Sequence, residues 1–221
     1  MKELIIFDLD GTLVNTIADL AEATNYALGK CGYPLHSRES YPMMVGNGVL
    51  RLIERALPED ARTKETIEKV RSHFTEYYDE HCTDLSRPYP GMAELLKDLV
   101  DEGIKVAVAS NKYQSAVDKI IRHYFPDIEW SAIEGHKAGM PVKPDPSIVF
   151  EILSIVPTRK QKVLYVGDSG VDMQTARRAC VDSVGVTWGF RPEKELTDNF
   201  ADRIVNNTDE IYRIATAKDP F

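Results

Sequence analysis

The stretch IIFDLDGTLVNT sets two carboxylates, Asp8 and Asp10, one residue apart at the end of an apolar run. Side chains in a strand alternate faces, so residues two apart point to the same side. Like charges held close in a partly dry site repel, and ordinary folding gains nothing from that. A cation is the first candidate to compensate them. Related polar groups end two further apolar runs: Ser110 and Asn111 after IKVAVA, and Asp168 after KVLYVG. In open α/β sheets ligands bind in the crevice beyond the carboxyl ends of the strands, so clusters distant in sequence meet there. Lys143, in the proline-flanked stretch PVKPDP before a helical pattern, is placed to join them.

Each member has an ordinary structural reading as well. Asp10-Gly11 is also turn chemistry, and Ser110 also a helix cap or a satisfied strand-end hydroxyl. Lys143 alone reads as a solvated lysine. Asp145 reads as a cap with Pro146 at the first helical position. Ser169 and Asp172 match a capping box. Their joint occurrence carries the chemical reading.

The elements that must position these groups follow from apolar patterning. Residues 3–8, 104–110, 162–168 and 182–188 are near-continuous apolar runs, as strands buried on both faces of a parallel sheet should be. Residues 129–135 and 202–207 are weaker strands. Helical patterns occupy 90–103, 146–156 and 169–180, the first starting at proline and ending at glycine. Strand–helix alternation of this kind predicts an α/β fold, a doubly wound parallel sheet. Between Val14 and Ser86 no strand is evident, only helical segments near 17–31, 47–57 and 63–82. The pattern predicts an α/β core of residues 1–14 and 86–221, with residues 15–85 inserted after the first strand as a small all-helical domain over the sheet.

The chain has 221 residues, 43% of them hydrophobic and 28% charged, as in a globular protein with a real core. The net charge of −8 disfavours nucleic acid, whose phosphates require a basic surface. No apolar run approaches the roughly 20 residues that span a bilayer, and no secretory signal is evident. Three scattered cysteines, Cys31, Cys82 and Cys180, fit reduced thiols of a cytoplasmic protein. Nothing in the pattern separates a dimer surface from an exposed helix face.

In this order, DLDGTL, VASNK, KPDP and GDSGVD resemble the haloacid dehalogenase superfamily, and the helical insertion with the closing GVTWGF is similar to its phosphoglycolate phosphatase-like branch. The resemblance covers essentially the whole chain. It implies a Rossmann-like core under a helical cap, and Mg²⁺-dependent hydrolysis of a small phosphorylated metabolite through an aspartyl phosphate. It assigns Asp8 as nucleophile and Asp10 as general acid/base. Ser110 becomes the hydroxyl donor to phosphate, with the Asn111 backbone nearby, and Lys143 the cation that holds nucleophile and phosphate together. Mg²⁺ is implied on the Asp8 carboxylate, the Asp10 backbone carbonyl and Asp168, with Ser169 and Asp172 behind them or Asp172 as an alternative ligand. Gly11 and Thr12 belong to the turn that aims Asp10, Thr12 lying near the phosphate or the acid/base. Gly46, Asn47 and Gly48 precede a helix whose start either meets an anionic leaving group or is an ordinary N-terminus. Arg51 is a candidate for a substrate carboxylate, Tyr77 and Tyr78 are cap core, and nothing ties His136 or Lys137 to chemistry.

The same superfamily offers a phosphosugar mutase, which must shield the aspartyl phosphate from water, and pyrophosphate or nucleotide hydrolases. A non-catalytic phospho-acceptor such as a response-regulator receiver is smaller and lacks the insertion. Moreover, Asp10 beside the nucleophile favours the rapid dephosphorylation that a relay avoids. No GxxxxGK[ST] occurs, and GNGVLR has Arg51 where the third glycine of GxGxxG belongs.

Overall fold

Strand β1 (Leu4–Phe7) is fully buried on both faces, as its unbroken LIIF requires. In the computed structural model, which describes residues 1–218, it lies at the centre of a six-stranded parallel sheet. The others are β4 (Lys105–Tyr113), β5 (Trp130–His136), β6 (Val163–Gly167), β7 (Asp182–Val186) and β8 (Arg203–Val205), in the order β5-β4-β1-β6-β7-β8. The strand order reverses at β1, the switch point where doubly wound folds open a crevice.

Alternate residues of each strand feed two apolar layers. Ile5, Phe7, Val106, Val108, Leu164 and Val166 point into one; Leu4, Ile6, Ala107, Ala109, Val163 and Tyr165 point into the other. Helices α6 (Ser147–Ile155) and α7 (Gly170–Ala179) cover the second layer. Helices α4 (Met92–Asp101), α5 (Gln114–Tyr124) and α9 (Thr208–Thr216) cover the first. A short α8 (Glu193–Asp198) follows β7. Asp145 accepts from the Ser147 amide at 2.9 Å, so helix α6 starts one residue later than the Pro146 start expected from sequence.

Between β1 and the rest of the sheet the chain forms α1 (Ile17–Lys30), a 3-10 turn (Arg38–Met43), α2 (Val49–Ala56) and α3 (Lys64–His81). A strand pair missing from the apolar patterning stands where the chain leaves and returns: β2 (Val14–Asn15) runs antiparallel to β3 (Arg87–Pro88). With two residues each, these strands carry no periodicity to read. The helical block is not detached, because Leu52, Ile53, Phe74 and Tyr78 share one continuous apolar cluster with Phe7, Leu9 and Leu13. Among the described residues, no helix is long and apolar enough to cross a membrane.

The return of the chain is tied by one buried carboxylate. Asp19 of α1 accepts from the amides of Leu85 (2.9 Å) and Ser86 (2.8 Å) and from the Ser86 hydroxyl (2.6 Å). Removing the carboxylate strands three donors. Asp19→Ala is therefore expected to cost about 2–4 kcal/mol in chemical denaturation, a change of under 0.5 kcal/mol contradicting this role.

Candidate active site

Register alone brings the polar strand ends together. Phe7 is level with Val108 on one side and Val166 on the other. Asp8 lies one residue beyond that line, and Ser110 and Asp168 two beyond. All three therefore emerge at one edge of the sheet. A cleft opens there, walled by Asp8, Asp10, Ser110, Asn111, Lys143, Asp168, Ser169 and Asp172. From the helical block it receives Gly46, Gly48, Val49, Leu52, Phe74 and Tyr78.

Lys143 is the hub. Its ammonium, 2% exposed, lies 2.8 Å from Asp8 Oδ1 and 2.7 Å from Asp172 Oδ1, and also donates to the Ala109 carbonyl at 3.0 Å and to Tyr165 Oη at 3.2 Å. Burial works against its charge, but Asp172 and Asp8 together hold its pKa well above the ordinary 10.5. Asn111 fixes the backbone here. Its side-chain oxygen accepts from the Lys143 amide (2.7 Å), while its Nδ2 donates to the carbonyls of Lys143 (3.2 Å) and Gly46 (3.1 Å). Ser110 Oγ accepts from the Lys112 amide at 3.2 Å.

Carboxylate oxygens of Asp8, Asp168 and Asp172 all lie within 4.8 Å of one another. Burial, only partly offset by Lys143, raises the Asp8 pKa to about 7, and the neighbouring Asp172 charge adds to the rise. Burial and the charges of Asp172 and Asp8 raise Asp168 well above the carboxylate range. One ammonium does not neutralise three such groups, and an all-oxygen donor set of this charge fits a hard divalent cation. Within the trio, both Asp172 oxygens already accept protein donors: Oδ1 from Lys143, Oδ2 from the Ser169 amide (3.1 Å) and hydroxyl (2.5 Å). The capping box expected from sequence is present and anchors Asp172. Asp168 Oδ2 accepts from the Phe190 amide at 2.6 Å.

Glycines let the chain close around these groups. A Cβ on Gly11, whose φ is +88°, or on Gly189 would run into the Asp168 carboxyl.

One expectation is corrected. Asp8 and Asp10 do not present their carboxylates to a shared cation, because β1 ends at Phe7 and the chain turns before Asp10. The Asp10 carboxylate instead accepts from Thr16 Oγ1 (2.5 Å) and lies 3.1 Å from the Lys112 ammonium. Gly11, Thr12 and Asn47 do not line the cleft; Asn47 accepts from Arg55 at 2.7 Å, and the buried Thr12 hydroxyl has no partner. Arg51 pairs with Glu54 on an exposed face and is absent from the cleft wall.

The family model for haloacid dehalogenase-like hydrolases matches residues 5–186. The chain belongs to this family. A phosphoglycolate phosphatase from Mannheimia succiniciproducens is 31% identical over 218 residues, 96% of this chain and 97% of that one. One from Haemophilus influenzae strain 86-028NP is likewise 31% identical, with the same coverage. The crystal structure of a candidate phosphoglycolate phosphatase from Lactobacillus delbrueckii subsp. bulgaricus superposes with a TM-score of 0.90 at 32% identity, covering 97% of this chain and 99% of that one. This haloacid dehalogenase-like hydrolase is thus a phosphatase of the phosphoglycolate phosphatase-like branch.

Two further residues of this hydrolase's cleft, Lys112 and Arg191, have no signature in the local pattern, although Lys112 stands inside VASNK. Tyr165, buried behind the cleft against Lys143, is a polar residue in an otherwise apolar strand, and that break is a usable signal. Arg191, beside Phe190, donates to the carbonyls of Pro42 and Val45 (2.6 Å for the latter), tying the loop after β7 to the helical block. No spacing announces so long-range a contact.

Proposed function

We propose that this protein is a Mg²⁺-dependent phosphomonoester hydrolase acting on a small phosphorylated metabolite through an aspartyl phosphate on Asp8. The observation that carries the reading is the Lys143 ammonium, 2.8 Å from Asp8 Oδ1 in a cleft that Asp10, Ser110 and Asp168 also line. Asp8 attacks phosphorus and the ester P–O bond breaks, while Asp10 gives its proton to the leaving oxygen. Water then attacks the aspartyl phosphate, Asp10 takes the water proton, and inorganic phosphate leaves with the Asp8 carboxylate restored. Ser110, the Asn111 amide and Lys143 hold the phosphate oxygens, since phosphoryl transfer is catalysed mainly by positioning and charge. Mg²⁺, when bound by Asp8, the Asp10 carbonyl and Asp168, supplies neutralising charge at the phosphoryl group. Asp172 keeps Lys143 charged and aimed. The helical residues 15–85 act as a cap on the core formed by 1–14 and 86–221, excluding water and selecting the leaving group.

The test is a panel of small phosphate monoesters, phosphoglycolate among them, assayed for free phosphate and for isomerised product. Phosphate release without isomerisation is expected; isomerisation outpacing release would replace the hydrolase with a mutase. Lys143→Ala is expected to lower kcat/KM by about 10²–10³, the scale of one lost charge-stabilising donor at a transition state. Unchanged kinetics would remove Lys143 from the site.

A further inference from the structure

Strand β4 runs past Ser110 to Tyr113, so Lys112 lies two residues beyond Ser110 and is 7% exposed. A lysine is almost never this buried without a partner. Here the ammonium lies 3.1 Å from Asp10 Oδ1, donates to Tyr78 Oη at 2.8 Å and stands 4.6 Å from the centre of the Tyr78 ring. Tyr78 belongs to α3 of the helical block, where it is fully buried and stacked on Phe74 at 5.1 Å. Thr16 donates to the same Asp10 oxygen, Oδ1, at 2.5 Å. Among the described residues no protein donor reaches Oδ2, and Asp10 lines the cleft. Two donors hold one oxygen and leave the other to exchange a proton with substrate or water.

We propose that Lys112, itself held by Tyr78, is a positioning residue that fixes the Asp10 carboxylate for proton transfer, so that the docking of α3 is a condition for acid–base chemistry. This rests on the reading of Asp10 as the general acid. Two donors from separate segments, Thr16 and Lys112, hold the carboxyl group by one oxygen, and a proton donor works only within hydrogen-bond reach of the leaving oxygen.

The test uses the leaving group. p-Nitrophenolate departs without a proton, whereas an alkoxide needs one. kcat/KM is measured on p-nitrophenyl phosphate and on the best-hydrolysed alkyl phosphate of the panel, for the wild type, Lys112→Met, Tyr78→Phe and Asp10→Asn. Lys112→Met keeps the stem and removes the ammonium. It is expected to lose about 10²-fold on the alkyl ester and under about fivefold on the aryl ester, the scale of general acid catalysis. Tyr78→Phe keeps the buried ring and the ion pair, and is expected to show the same split at about a third to a tenth of the size. Equal losses on both esters in Lys112→Met and Tyr78→Phe, or no loss on the alkyl ester, would overturn the proposal. Asp10→Asn separates the two levels. If it splits the esters and the Lys112 and Tyr78 variants do not, only the positioning role falls; if it does not split them, the acid assignment falls and the positioning role with it.

Discussion

Asp8→Asn is expected to lower kcat/KM on any phosphomonoester by about three orders of magnitude or more, because a neutral amide cannot form the acyl phosphate. Asp8→Glu keeps the charge but displaces it by one methylene, and a shift of about 1 Å is expected to cost about 10²-fold. Neither loss should come from unfolding. Burial raises the Asp8 pKa from 3.8 to about 7, so the fold disfavours the ionised carboxylate. Above that pH a neutral side chain relieves a cost, while Lys143 keeps Asp172 at 2.7 Å. Metal-free Asp8→Asn should therefore melt no lower than the wild type at pH 8. Substantial activity in Asp8→Asn, or a collapse of its fold, would count against the assignment.

The second large effect is metal removal. A phosphate dianion entering this cleft faces Asp8, Asp168 and Asp172, with Lys143 as the ammonium among them. Each unit-charge repulsion at about 4 Å costs about 4 kcal/mol at an effective dielectric constant near 20. One uncompensated repulsion of that size is worth about three orders of magnitude in binding or rate. EDTA is accordingly expected to reduce turnover to background, and excess Mg²⁺ to restore it. Ca²⁺ should restore it poorly, because its larger and looser oxygen shell misplaces the nucleophile. An independent readout is the melting curve, since a ligand at 100 times its Kd stabilises by about 2.7 kcal/mol. Mg²⁺ should raise the melting temperature of the wild type and do so less in Asp168→Asn. Full activity in EDTA would remove the metal from the mechanism.

The sheet was legible because its central strands are buried on both faces, which forces unbroken runs such as LIIF and VLYV. Glycine and proline punctuation gave α4 to within two residues. Short elements were not legible: β2 and β3 have two residues each, and α8 has six. The site was readable because strand ends in a parallel sheet share an edge, so Asp8, Ser110 and Asp168 could be brought together by topology alone. Alternation failed at Asp10, where the strand had already ended and the chain is inside the turn that begins at Leu9. The Asp10–Lys112–Tyr78 contact joins three segments far apart in sequence, and no local pattern encodes it. Arg51 stays out of the cleft because its i,i+3 partner Glu54 pairs with it on an exposed face.

A covalent phosphoryl group on Asp8 is the most direct measurable consequence of this mechanism. Enzyme mixed with a hydrolysed monoester and Mg²⁺ is quenched in acid during turnover and digested, and the peptide IIFDLDGTLVNT is sequenced by mass spectrometry. The expected result is one added phosphoryl group on Asp8, enriched in Asp10→Asn if breakdown of the acyl phosphate is slowed more than its formation. Phosphate found on another residue, or phosphate released through repeated turnovers with no phosphoryl group ever trapped on Asp8 in either the wild type or Asp10→Asn, would contradict it.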